Sequence, residues 1–288
     1  MQPKPYKIID LVQGSTPWLE FRRSHVMASD TPKIMGVSPY GSPYSVWLEK
    51  MGMGEQKKTS AMDLGNKMET IIRDRINKDL GLILIPIVLE STINTWQGAS
   101  LDGFDEIKGI AAEIKYANVT DHDIARKHKI PEKYYPQLQK ILFVTGFDAI
   151  HYISCNSDEI IQLLVVRDEE FIASIFEKEK SFYANMIDFI APELTEKDYH
   201  DLTGDLELVE WIARHKQADA FIKIHEEEKK VFRAKIIERC NNRSITCSGT
   251  KITRYPVLGR IDYSIIEELE GVDLEKYRKP STISYRIN

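Results

Sequence analysis

Cysteine is scarce: the 288-residue chain has three, Cys155, Cys240 and Cys247. They are odd in number and scattered, which fits neither a disulfide framework nor a four-cysteine zinc or iron–sulfur site. No His-x-x-x-His pair offers zinc another seat. Long apolar runs are missing too. The longest, from Leu82 to Leu89, contains Pro86 and falls far short of the roughly 20 residues that cross a bilayer. The opening residues Met1, Gln2, Pro3, Lys4 and Pro5 lack a signal-type apolar stretch, so the expected location is the cytoplasm, with no membrane partner. An excess of basic charge is also absent, with 39 Lys and Arg against 44 Asp and Glu. Proteins that coat nucleic acid non-specifically are usually basic throughout. Any contact with DNA must therefore come from a local patch.

What is present is an ordinary folded composition, 42% apolar and 29% charged, long enough for one large domain or for a domain with an appendage. Capping and periodicity place short helices at residues 17–24, 29–35 and 44–51, the second opened by a Ser-Asp signal. A loop is expected at 52–58. The clearest helix runs over 61–80, where Leu64, Met68, Ile72, Ile76 and Leu80 recur every four residues. Strands are expected at 82–90 and 94–101, ended by a turn at Asp102-Gly103, and again at 110–116. A helix at 131–146, a hairpin at 149–155 and 160–166, and a helix at 168–189 follow. This alternation is that of an α/β fold with a central mixed β-sheet flanked by helices. Beyond residue 190 the composition changes. A charged helix over 204–238 gives a helical extension (191–240), and short strands at 244–247, 251–255, 259–263 and 282–287 give a small β-rich end (241–288). Residues 239–260 carry five basic side chains and no acidic one.

The chemistry-bearing candidates begin with Glu113 and Lys115. Two apart on a strand, they share a face with Ala111. On a central strand they would sit in a crevice; on an edge strand they would be a solvated ion pair. Asp102 precedes Gly103, where Asp favours hairpin turns for local reasons. Should the two strands pair, Asp102 and Glu113 converge. Two such carboxylates repel unless a cation lies between them, and hard oxygen ligands suit Mg²⁺ or Mn²⁺. Glu69 lies on the apolar side of the long helix with Ile72 and Ile76, which is costly unless it is paired, metal-bound or reaching past the margin to water. Gln137, with Ile141 and Val144 continuing its face, needs a buried partner such as Lys115. Arg22 by itself reads as a surface arginine on a short helix, and Ser29 by itself as an N-cap. His122 and His128 read as surface residues of a charged loop, and the four tryptophans as core or interface anchors.

The order of these pieces resembles the PD-(D/E)XK nucleases, and within them the YqaJ-type phage recombinase nucleases, relatives of the phage lambda exonuclease. The stretches that carry the resemblance are Trp18-Leu19-Glu20-Phe21-Arg22 with Ala28-Ser29, Leu64-Gly65-Asn66-Lys67-Met68-Glu69, and Ser100-Leu101-Asp102-Gly103. Ala112-Glu113-Ile114-Lys115, Tyr135-Pro136-Gln137-Leu138-Gln139 and Val144-Thr145-Gly146 continue it. Leu101 stands where many members have proline. The resemblance implies a nuclease core at residues 1–190, with Asp102, Glu113, the Ile114 carbonyl and Glu69 at a metal, Mg²⁺ with Mn²⁺ as the alternative. It implies Lys115 as the residue that positions the attacking water, Gln137 as its orienter, and Arg22 with Ser29 as a pocket for a 5′-phosphate. The implied activity is a double-strand DNA exonuclease running 5′ to 3′ and leaving 3′ single strands for phage-type recombination. The implied partners are double-stranded DNA ends, a single-strand annealing recombinase and further copies in a ring trimer, in a phage-bearing or prophage-bearing bacterial cell. Two other readings compete: an endonuclease of the same fold acting internally or on branched DNA, and a non-catalytic DNA-binding or assembly protein. The 5′-phosphate pocket argues against the first, and five filled active-site positions argue against the second.

Overall fold

Prolines and short polar caps punctuate the first fifty residues, and each helix there begins at one. In the computed structural model, which describes residues 4–54, 60–157 and 159–255, strand β1 (Tyr6–Ile9) leads into helix α1 (Thr16–Ser24). Ser15 caps α1, and Pro17 occupies its first turn, where the missing N–H costs nothing. Strand β2 (Val26–Met27), helix α2 (Thr31–Ile34) and helix α3 (Pro43–Lys50) follow, α3 opened by a reciprocal Ser42–Ser45 capping box. Next come the long helix α4 (Ser60–Leu80) and strands β3 (Ile85–Ser91), β4 (Gln97–Asp105) and β5 (Ile110–Tyr116). Helices α5 (Val119–Arg126) and α6 (Tyr135–Thr145), strands β6 (Ala149–Cys155) and β7 (Ile160–Val166), and helix α7 (Glu169–Ile187) complete the series.

Three expectations fail here. The Asp102-Gly103 pair makes no turn: β4 runs through it to Asp105, and the chain reverses at residues 106–109, with Gly109 at a left-handed φ of 65°. Backbone pairing with β3 on one edge and with β5 on the other outweighs the local turn preference. Ser29 is not a cap. The cap position of α2 belongs to Asp30, whose carboxylate is occupied elsewhere, and α2 is only four residues long. The charged loop around His122 is helix α5, capped by Asn118, and His122 is buried while His128 stays exposed with a φ of 55°.

The seven-stranded sheet has the order β1-β3-β4-β5-β6-β7, with β2 pairing parallel to the start of β4. It is mixed: β5 and β6 run parallel, the other main pairs antiparallel. Helices cover both faces. On β5 the alternation is clean, with Ala112 and Ile114 packed with Ile72 and Ile76 of α4, and Ala111 packed with Leu138, Ile141 and Leu142 of α6. A buried ion pair, Lys140 with Glu179, joins α6 to α7; Glu179 also accepts from Thr31 (2.6 Å) and Gln97 (3.0 Å). Breaking such a pair by removing one partner typically costs about 3–5 kcal/mol.

The chain divides into two units, Met1–Asp201 and Leu202–Asn288. In the second, helix α8 (Leu206–Cys240) precedes a small hairpin of β8 (Ile245–Cys247) and β9 (Thr250–Ile252). Most of the loop expected at 52–58 and the strands expected at 259–263 and 282–287 lie outside the described residues. No helix among the described residues is long and apolar enough to cross a membrane.

Candidate active site

The crevice arises where two strands part. β4 and β5 pair only from Gly103↔Ala112 to Asp105↔Ile110. Past that point the Ile114 N–H donates to the Asp102 Oδ2 (3.0 Å) in place of a strand carbonyl. Asp102 is held from behind as well, because Arg73 of α4 donates to its backbone oxygen at 2.9 Å. Glu113 is 1% exposed. Its Oε1 accepts from Lys115 Nζ at 2.5 Å and from Gln137 Nε2 at 2.5 Å. Its Oε2 is buried and has no hydrogen-bond partner among the described residues. Gln137 therefore bonds the same Glu113 oxygen that holds Lys115, and no direct bond to Lys115 is found among the described residues. The Tyr134 ring lies 5.9 Å from Lys115 Nζ, and its hydroxyl donates to Asp121 at 3.3 Å.

Electrostatics tie Glu69 to the same place. Burial and the Asp102 carboxylate push the Glu69 carboxyl up to about 7. Burial, then Asp102, then Glu69 push Glu113 up to about 8 against the opposing pull of Lys115. Burial alone would lower Lys115, but Glu113, Asp102 and Glu69 together raise it above its ordinary value, so its ammonium stays charged. Three carboxylates thus share one lysine. Their mutual strain is that of a site lacking positive charge.

Such a donor set fits a hard divalent cation. The unpartnered Glu113 oxygen is a free ligand atom, and Asp102 supplies a second carboxylate. Among the described residues, no three His, Cys, Asp or Glu side chains gather tightly enough to hold a metal alone. Mg²⁺ does not require that, since it keeps several waters and binds through one or two carboxylates.

A second cluster lies on α1 and the segment after β2. Arg22 Nη2 donates to the Ser29 Oγ at 3.2 Å, and its guanidinium lies 4.8 Å from the Trp18 ring. Trp18 in turn donates to Ser100 of β4 at 3.4 Å, two residues before Asp102. Buried Asp30 lies beside Arg22, with 3.6 Å between Oδ1 and Nη2. The Lys50 Nζ bonds the Asp30 Oδ2 at 2.5 Å and the Arg22 carbonyl at 2.6 Å. Sequence reasoning missed Trp18, Asp30, Lys50 and Arg73. Two signals were available: Trp18 is four residues before Arg22 on one helix, and Arg73 is four after Glu69 on another.

Residues 17–148 match the family described as the YqaJ-like viral recombinase domain. The curated protein YqaJ of Bacillus subtilis (strain 168), itself described as uncharacterized, is 23% identical over 177 residues, 59% of this chain and 56% of that one. The chain thus spans little more than half the length of the relative it matches. Among solved structures, an alkaline exonuclease (LHK-Exo) from Laribacter hongkongensis superposes with a TM-score of 0.54 at 22% identity, over 61% of this chain and 94% of that one. The same enzyme in complex with dAMP gives 0.53 at 22% identity. This likeness shows a shared fold.

Proposed function

We propose that the protein is a metal-dependent deoxyribonuclease that digests double-stranded DNA from its ends, 5′ to 3′, leaving 3′ single strands for phage-type recombination. The observation that carries the reading is the buried Glu113 with its unpartnered oxygen, set between Asp102 and Lys115. Asp102, Glu113, the Ile114 carbonyl and, directly or through water, Glu69 would hold Mg²⁺, with Mn²⁺ as the alternative. When bound, that ion would sharpen the attacking water and take up charge on the phosphate. The chain's own residues do the rest. Lys115, kept protonated by three carboxylates, orients the water and stabilises developing negative charge rather than acting as a free base. Gln137 fixes the Glu113 carboxylate that aims Lys115. Arg22 and Ser29 offer a guanidinium and an exposed hydroxyl to a terminal 5′-phosphate, and an end-directed enzyme needs such an anchor. Similarity to an alkaline exonuclease, one structure of which holds dAMP, supports the same reading. A single-strand annealing protein as partner and a ring of three copies complete the proposal.

The test is a digest in Mg²⁺ of linear duplexes with and without a 5′-phosphate, beside a closed circular plasmid. Phosphorylated linear DNA should disappear fastest and the circle should survive. Lys115→Ala should abolish cleavage while DNA binding stays near wild type. Cutting of the circle would favour an endonuclease, and activity in Lys115→Ala would remove the site.

A further inference from the structure

A buried aspartate beside an anion-binding arginine is a problem. Asp30 is 2% exposed, and an unpaired carboxylate there would take the Arg22 guanidinium for itself. The structure shows something else. The Asp30 Oδ2 accepts from the Met27 N–H (2.9 Å) and from Lys50 (2.5 Å), whereas its other oxygen makes only a longer ion pair with Arg22, at 3.6 Å, without a hydrogen bond. Arg22 is left stacked near Trp18, with its Nη2 donating to an exposed serine hydroxyl. Lys50 is itself 6% exposed and is the last residue of α3. Its second bond, to the Arg22 carbonyl, pins the last turn of α1 from which Arg22 projects.

We propose that Lys50 and Asp30 form a charge-balancing pair that leaves Arg22 free to receive the terminal phosphate of a DNA end. The inference rests on the reading of Arg22 and Ser29 as that phosphate's anchor. Two cations and one anion leave the pocket with a single positive charge, and that charge sits on the group facing solvent. Burying the lysine keeps its ammonium from competing for the ligand, while the aspartate holds it in place. Both are positioning residues, and neither touches the phosphate. Removing the lysine charge alone would leave Asp30 with one cation in reach, Arg22, and the two would close on each other with no net charge to offer.

The test measures fluorescence anisotropy of the full chain with duplexes bearing a 5′-phosphate or a 5′-hydroxyl, in EDTA so that no cleavage occurs. The ratio of the two affinities is the readout. Lys50→Met should lower that ratio by about tenfold or more, the weight of a charge-assisted hydrogen bond. Lys50→Met combined with Asp30→Asn restores the charge balance and should recover most of the ratio, a rescue that a mere packing defect would not produce. Asp30→Asn alone, which adds positive charge without exposing a buried carboxylate, should raise the ratio; it decides the matter should Lys50→Met not fold. A wild-type ratio in Lys50→Met, a double variant no better than the single, or no gain in Asp30→Asn would overturn the proposal. Arg22→Ala separates the two levels: if it leaves the ratio unchanged, the anchor itself is misassigned and the pair has nothing to balance.

Discussion

Glu113 carries conflicting demands. The fold buries it completely, Lys115 and Gln137 share one of its oxygens, and two further carboxylates press on it. The consequence is a pH dependence with a definite sign. A carboxyl raised from its ordinary 4.5 to about 8 binds its proton more tightly in the folded than in the unfolded state. Its contribution is fully present below 4.5 and is lost as pH rises towards 8, and Glu69, raised to about 7, acts in the same direction. The metal-free protein should therefore lose melting temperature from pH 5 to pH 8, and Mg²⁺ should restore most at the alkaline end, where the ionised carboxylates need it. Scanning calorimetry with and without EDTA reads this directly, and Glu113→Gln should flatten the slope. An equal slope in that variant would place the titration elsewhere. Residues of this kind were legible in the sequence because a strand fixes which side chains share a face. Asp30 and Lys50 were not, since nothing local marks two residues 20 apart as partners across a turn and a helix.

At the scale of elements, β4 organises the site. One of its edges serves β3 along its length, while the other serves β2 at its start and β5 at its end. The Asp102 and Glu113 carboxylates and the Arg22–Ser29 pair thus meet around one strand. The sequence reading truncated β4 because Asp-Gly is a strong turn signal; long-range pairing on both sides overrode it. The mistaken loop at α5 has a similar cause. Its charges (Asp121, Asp123, Arg126) mask a buried stripe in which His122 bonds Ser154 at 3.0 Å, an interaction visible only in three dimensions. Within β4, Gly98 is where β2 can approach. A Cβ there would lie 2.8 Å from the Met27 sulfur and 3.2 Å from both the Leu89 carbonyl and the Phe21 ring. Gly98→Ala should cost about 1–3 kcal/mol by overpacking. Met27 also donates its N–H to Asp30, so the strain should reach the Arg22 pocket. Urea titration should show a lower midpoint at unchanged slope, and an unshifted midpoint would mean the β2–β4 packing is slack.

Over the whole molecule, the candidate site and the acid-free basic run lie in different units. Every candidate site residue belongs to the unit ending at Asp201, and the three buried clusters are built there as well. The second unit contributes a helix whose apolar residues, among them Trp211, Phe221 and Phe232, are exposed, and then the run from Arg239 onward. Within that run the described residues Arg239, Arg243, Lys251 and Arg254 make no ion pair with a carboxylate among the described residues, and all four are exposed. A chain with net charge −5 repels DNA at long range, so a run of exposed cations without an acidic residue in its sequence is where phosphate binding is electrostatically cheapest. The hairpin holding Lys251 is short and closed by Gly249 at a φ of 78°, which suits it to presenting charge rather than to building a core. If this segment tracks the DNA backbone, Lys251→Ala with Arg254→Ala should lower the slope of log affinity against log salt by about 0.9 for each phosphate no longer neutralised. Affinity should fall alike for phosphorylated and hydroxyl ends, because backbone phosphates carry no information about the terminus. An unchanged salt slope, with circular dichroism showing the fold intact, would take DNA away from the second unit and leave its basic run to a protein partner.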